Sequence, residues 1–219
     1  MPQSIIDAGC EVSIVSDPVL NTPAVFAGIA EYSVITPYIT DIVPRFGSVE
    51  GGTVVTITGN WLLPFGGSYS NTDYEIYMDT KRCDVSSFSS TQIVCTTRAR
   101  FGLWEEDSTL TIFIPDKGYA VLQGHMFRYV SLWSQPSTWG YAFAPVSGES
   151  LSVPRGLHLL VDIDTSPLLN LVIVEGGSII FPCDETNPNH IRTFDANYIF
   201  IHEGIMEVGT ERDPYCSKI

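Results

Sequence analysis

Apolar and polar positions alternate with a period of two along most of the chain from Ile35 onward. In GTVVTITG (Gly52 to Gly59), Val54, Thr56 and Thr58 face one way and Val55 and Ile57 the other, which is the pattern of a half-buried strand. The Glu50-Gly51-Gly52 stretch ahead of it is a turn signal. Similar strands are predicted at YEIYM (Tyr74 to Met78), QIVCTT (Gln92 to Thr97), STLTIFI (Ser108 to Ile114) and HMFRYV (His125 to Val130). Strands at this spacing, with no helical periods between them, predict a small β-sandwich.

A second series follows LWSQPSTWG (Leu132 to Gly140), whose Ser, Pro and Trp content reads as a junction rather than a strand. It comprises SLSV (Ser150 to Val153), LHLLVDI (Leu157 to Ile163), NLVIV (Asn170 to Val174), SIIF (Ser178 to Phe181), NYIFIH (Asn197 to His202) and IMEVG (Ile205 to Gly209). Gly148, Gly156, the pair Gly176-Gly177 and Gly204 stand just before strands, where a positive φ or a tight reversal is needed. Short strands parted by glycine turns predict stacked rungs or a compact barrel-like sheet. Residues 1 to 35 fit neither series. Their EVSIV (Glu11 to Val15) and AVFAGIAEYSVI (Ala24 to Ile35) are strand-like pieces too few to close a sheet. Unpaired strands of this kind invite another chain, so Val12, Ile14, Val25, Phe26, Ile29 and Tyr32 are candidate self-association positions.

Composition supports an all-β chain with real cores. Of its 219 residues 44% are hydrophobic and 11% aromatic, while only 16% are charged. The formal charge of −14 comes from 25 acidic and 11 basic residues, with no Lys or Arg in the first 35 positions. Such a surface repels phosphate backbones, so nucleic acid is not an expected partner. No run of 18 apolar residues occurs, so no membrane span is expected. The start lacks the features of a signal peptide, and a secreted assignment assumes that the signal has been removed.

The segment Tyr38 to Leu62, YITDIVPRFGSVEGGTVVTITGNWL, resembles the opening of IPT/TIG domains, immunoglobulin-like sandwiches of cell-surface receptors and some transcription factors. The resemblance rests on the I-x-x-[IV]-x-P strand at Ile39 to Pro44, Gly47, the Gly51-Gly52 turn and the T-I-T-G strand, and continues in Cys83 and Thr91-Gln92-Ile93-Val94-Cys95. FRYVSLWSQPSTWG (Phe127 to Gly140) and IMEVGTERDPY (Ile205 to Tyr215) look like the borders of the eight-glycine (G-eight) domain, although only seven glycines fall between Ser131 and Ile219. That domain follows IPT repeats in fibrocystin and fibrocystin-like proteins, and in that family a long parallel β-helix usually comes next. The resemblance implies a fibrocystin-like ectodomain, extracellular or at the cell surface. It would divide into residues 1–35 as a strand segment, either left from a preceding repeat or donated to a neighbouring molecule, an IPT/TIG-like sandwich over 36–130, and a G-eight-like β domain over 131–219.

None of the five cysteines forms a C-x-x-C pair, which favours disulfides over zinc or thioredoxin-like chemistry. Cys83 and Cys95, on facing sides of a Ser-rich loop and placed as in the family's pattern, are expected to be bonded. Cys183 and Cys216 are a further candidate pair, which leaves Cys10 free or bonded between chains.

No catalytic residues are expected. The four histidines show no metal-site spacing, Asp162 and Asp164 in VDIDTS lack further oxygen ligands for calcium, no G-x-S-x-G occurs, and Glu105-Glu106 sit in a polar loop. No cofactor is expected. Trp133, Trp139, Tyr141 and Phe143 concentrate aromatics near the junction, where they either stack on carbohydrate or pack between domains. Two functions therefore compete. One is a structural or adhesive module that associates with copies of itself or neighbouring repeats, as in a filament. The other is a carbohydrate-binding ectodomain, since some relatives of the G-eight domain act on hyaluronan.

Overall fold

A computed structural model describes residues 36–100, 109–122, 127–183, 187, 190–209 and 215, together with the strand backbone at 14–15 and 23–24. Near the N-terminus, β1 (Ile14–Val15) pairs antiparallel with β2 (Pro23–Ala24) as a sheet of its own. The first large unit contains β3 (Tyr38–Val43), β4 (Phe46–Ser48), β5 (Val54–Asn60), β6 (Glu75–Met78), β7 (Lys81–Phe88), β8 (Gln92–Thr97), β9 (Leu110–Ile114), β10 (Gly118–Tyr119) and β11 (Val121–Leu122). The eight strands other than β4 join in the order β10-β9-β6-β7-β8-β5-β3-β11.

β7 closes the sandwich by serving both layers. Its Lys81–Arg82 end pairs with β6, and Cys83–Phe88 pairs with β8 around a bulge between Val85 and Ser87. The period-two pattern then decides what is buried. Val55 and Ile57 of β5 turn inward, as do Ile93 and Cys95 of β8 and Ile112 and Ile114 of β9, and they pack with Ile39, Ile42, Tyr74, Ile76 and Phe127.

β12 (Arg128–Leu132) leaves this unit and begins the next, which adds β13 (Ser150–Pro154), β14 (His158–Leu160), β15 (Leu169–Glu175), β16 (Ser178–Phe181), β17 (Ala196–His202) and β18 (Ile205–Val208). All ladders among these strands are parallel. β13-β15-β17 form one sheet, and β18-β16-β14-β12-β4 form another. The chain thus winds as three stacked rungs, β13/β14, β15/β16 and β17/β18, with side chains in register from one rung to the next. Leu151, Val172 and Ile199 form one column, Val153, Val174 and Ile201 a second, and Leu159, Ile179 and Met206 a third.

Glycines shape the turns within the rungs for two reasons. Gly176 has φ 73°, the left-handed region. Gly177 and Gly204 instead sit where the turns stack: a Cβ on Gly177 would stand 2.4 Å from the Pro154 carbonyl oxygen, and one on Gly204 would stand 2.5 Å from Val174 Cγ1.

Because β12 pairs with β4 on one side and β14 on the other, a single sheet runs through both units. The boundary expected between residues 130 and 131 falls inside this strand. Val130, Leu160 and Ile180 are buried along the seam with Phe46 and Leu132 packed against them. Arg128 donates to Glu207 at 2.8 Å, and Ser48 Oγ donates to Gln135 Oε1 at 2.7 Å.

Candidate functional site

Cys83 and Cys95 form a disulfide with Cα atoms 5.5 Å apart. They lie on facing strands, since Val85 stands opposite Cys95 and Cys83 opposite Thr97, and both are fully buried in the sandwich core beside Ile57 and Ile93. The bond therefore staples the two strands from inside. Cys183 is also disulfide-bonded. Cys10 and Cys216 lie outside the described residues, as do Val12, Val25, Phe26, Ile29 and Tyr32; of the candidate self-association positions only Ile14 is placed, opposite Ala24.

The four aromatics at the junction divide into two pairs. Trp133 is buried in the second core, edge-on to Trp139 at 5.1 Å and to Phe194 at 6.3 Å. Trp139 donates its Nε1–H to the Trp133 carbonyl at 2.8 Å, at the end of a 3-10 turn spanning Pro136–Trp139. These two rings pack within the second unit, where no sugar can stack on Trp133. Tyr141 and Phe143 are 79% and 96% exposed.

The candidate acids are engaged singly. Asp162 accepts from the Ser134 amide at 2.9 Å and from its hydroxyl at 2.5 Å, while Asp164 pairs with His190 at 2.9 Å. Among the described residues no group of three His, Cys, Asp or Glu side chains gathers to hold a cation, and no helix is long and apolar enough to cross a membrane.

Two surfaces stand out that period and composition did not mark. Among the described residues no further rung covers the third: Ile199 and Ile201 occupy the columns whose earlier members are buried, yet they are 46% and 45% exposed, and Tyr198, Phe200 and Ile205 are exposed beside them. The second surface is the pole of the sandwich formed by the loop after β5. Lys117 Nζ donates to the Trp61 carbonyl at 3.0 Å and lies over the rings of Phe65 (4.6 Å) and Trp61 (5.8 Å). Desolvation holds the Lys117 ammonium below the usual lysine range. The loop is anchored from beneath by Tyr74, whose buried hydroxyl donates to the Leu62 carbonyl at 3.0 Å and is pushed up to about 12 by burial.

Residues 37–129 match the IPT/TIG domain family, and residues 138–219 match the G8 domain family. The chain is an IPT/TIG domain joined to a G8 domain. It is similar to fibrocystin-L of Homo sapiens, with 31% identity over 216 residues, 97% of this chain and 5% of that protein. It is likewise similar to fibrocystin-L of Mus musculus, with 32% identity over 182 residues, 83% of this chain and 4% of that protein. The chain thus spans a small part of the length of these relatives. Among solved structures it is similar to the extracellular region of plexin A4, with 29% identity over 43% of this chain and 8% of that one, at a TM-score of 0.35. In these terms the aromatic pole belongs to the IPT/TIG domain, the third rung belongs to the G8 domain, and the seam around β12 binds the two domains into one sheet.

Proposed function

We propose that the chain is an extracellular structural or adhesive module that associates with copies of itself through the exposed third rung, β17/β18, of its G8 domain. The observation that carries this reading is the half-exposed pair Ile199 and Ile201 at the end of two columns whose other members are fully or almost fully buried. A rung that no other strand covers leaves both apolar side chains and a free strand edge in water. Trp133 and Trp139 pack into the G8 core where the chain enters it. Among the described residues no strand pairs with the outer edge of β17.

A second β17 edge would satisfy that backbone ladder and cover the isoleucines at once. A contact made by the same surface on both partners closes as a pair, so a filament requires a second, different contact. The disulfide-bonded Cys83, Cys95 and Cys183 fit an oxidising, extracellular setting. The reading is non-catalytic, with Asp162 and Asp164 each bound to its own partner.

The test is the mass in solution by light scattering across a concentration series. The wild type is expected to rise from 24.1 kDa toward about twice that mass, and Ile199→Lys with Ile201→Lys to remain at 24.1 kDa. A wild type that stays at the monomer mass throughout removes the self-association reading. A second reading, carbohydrate binding, is favoured by the exposed rings of Tyr141 and Phe143, two residues apart. A glycan array on which Tyr141→Ser and Phe143→Ser bind as the wild type does would dispose of it.

A further inference from the structure

We infer that the aromatic pole of the IPT/TIG domain, built from Trp61, Leu63, Phe65, Lys117 and Val121, docks on a zwitterionic membrane surface of the phosphocholine type. The pole stands at the end of the sandwich away from the seam with the G8 domain. β3 starts there at Tyr38, opposite Asn60, and runs to Val43, beyond which β4 joins the seam through β12. On its other side Tyr38 stands opposite Val121, so the strand ends gather Val121 and the loop after β5 on one surface.

Trp61 and Phe65 are 51% and 61% exposed, and Leu63 and Val121 are exposed as well. An exposed apolar patch of this kind marks a surface that meets a protein or a membrane. The polar chemistry at the pole selects the membrane. Lys117 holds its ammonium over both rings and gives one N–H to the Trp61 carbonyl, and an ammonium has two further donors to offer an anion. The adjoining carboxylate, Asp116, accepts from the Tyr69 hydroxyl. A phosphocholine headgroup matches both features: its phosphate suits the Lys117 ammonium, and its quaternary ammonium suits the exposed faces of Trp61 and Phe65. Leu63 and Val121 would then meet the acyl boundary, while the lysine snorkels and the indole sits at headgroup depth.

Net charge decides which membrane fits. At −14 the chain is repelled by a surface of anionic lipids, whereas a phosphocholine surface carries no net charge and exacts no such cost. The loop is also stiff. Leu62, between two exposed residues, is fully buried; its amide donates to the Ser90 carbonyl at 3.0 Å, and its carbonyl accepts from Tyr74. Trp61 stands at φ 62°, which turns the chain sharply as it leaves β5. A loop held in this way loses little conformational freedom when it docks. The contact is peripheral and lies in the IPT/TIG domain, so it is independent of the self-association proposed for the G8 domain.

The test is flotation of the full chain with phosphatidylcholine vesicles, read alongside quenching of tryptophan fluorescence by phosphatidylcholine brominated in its acyl chains. The wild type is expected to float and to be quenched. Trp61→Ser with Phe65→Ser should lose about thirtyfold in partition and Lys117→Gln about fivefold, with vesicles containing phosphatidylserine binding less protein. Trp61→Phe, which keeps an apolar ring, should still float but lose the quenching. Ile199→Lys with Ile201→Lys should float as the wild type does. The inference is overturned by a wild type that does not float, by a double serine variant that floats equally, or by stronger binding to phosphatidylserine. Quenching that persists in Trp61→Phe, or flotation lost in the isoleucine variant, places a different surface at the lipid and overturns it too. Complete release by free phosphocholine would assign the pole to a soluble ligand. A lipid-free mass that falls in the double serine variant would assign it to a contact between copies, and either result overturns membrane docking.

Discussion

Replacing Ile180 with alanine should loosen both domains, and replacing its neighbour Ile179 should loosen only one. The two side chains are adjacent in β16 but face opposite ways. Ile179 enters the G8 core with Val153 and Val172, whereas Ile180 enters the seam with Val130 and Leu160, against which Phe46 packs. They are 0% and 1% exposed, so each Ile→Ala change withdraws three carbons from full burial. At about 0.8 kcal/mol per carbon the transfer loss is about 2.4 kcal/mol, and the unfilled cavity raises the expected cost to about 3–4 kcal/mol for either variant.

What separates the two is where the cost is felt. The amide of Val49, just beyond β4 in the IPT/TIG domain, donates to the Val130 carbonyl at 3.0 Å, and Arg128–Val130 pairs with Phe46–Ser48. Native-state hydrogen exchange should therefore show amides of residues 46–49 opening more readily in Ile180→Ala, by about tenfold or more, and nearly unchanged in Ile179→Ala. If the two variants perturb residues 46–49 equally, or if neither does, the seam does not couple the domains and the continuous sheet has no mechanical role.

Three further outcomes follow from particular contacts. Cys83→Ser with Cys95→Ser should lower stability by about 3 kcal/mol in urea titration, because the bond closes a loop with a sequence separation of 12 in the unfolded chain; a loss under about 0.5 kcal/mol would refute the constraint. Gly177→Ala should cost about 1–3 kcal/mol, since its Cβ would meet the Pro154 carbonyl oxygen, while Gly66→Ala, with nothing within 4 Å, should be nearly neutral; equal midpoints in thermal melts would contradict this. Burial lifts both the Tyr74 and Tyr129 hydroxyls to about 12, and the latter donates to the Arg98 carbonyl at 3.0 Å. The unfolded chain ionises these phenols near pH 10, so their contribution is intact below that value and is lost as pH rises from about 10 through 12. Tyrosinate absorbance should show these two groups titrating late and together with unfolding, and early titration of all ten tyrosines would refute their burial.

Local pattern was enough to read the strands that bury one face. In β5, β8 and β9 the alternation of Val, Ile and Thr with polar residues determines which side meets the core, and the structure keeps that assignment in Val55, Ile57, Ile93 and Ile112. The glycine turns of the G8 domain were legible as turns, and Gly176 needs its positive φ locally, whereas Gly204 needs an absent Cβ only because the stacked rung brings Val174 to 2.5 Å. β7 was not legible. Its KRCDVSSF is polar because it passes between two sheet layers and buries little beyond Cys83, so no apolar period marks it. β4, three residues long, is a strand only because β12 lies beside it, 82 positions later at Arg128 opposite Phe46.

The same holds for the surfaces proposed to carry function. NYIFIH reads as an ordinary strand, and its isoleucines become an exposed edge only once the parallel register has placed them third in columns that have no fourth member among the described residues. The loop after β5, Trp61 to Phe65, carries no periodic pattern, and its rings become an aromatic pole only when Lys117 arrives from the β9–β10 turn. Alternation and turn chemistry act between near neighbours and leave their mark in a few consecutive residues. Parallel pairing, shared strands and exposure are set by partners 20 to 82 positions away, so they leave no local mark and are decided by the tertiary structure alone.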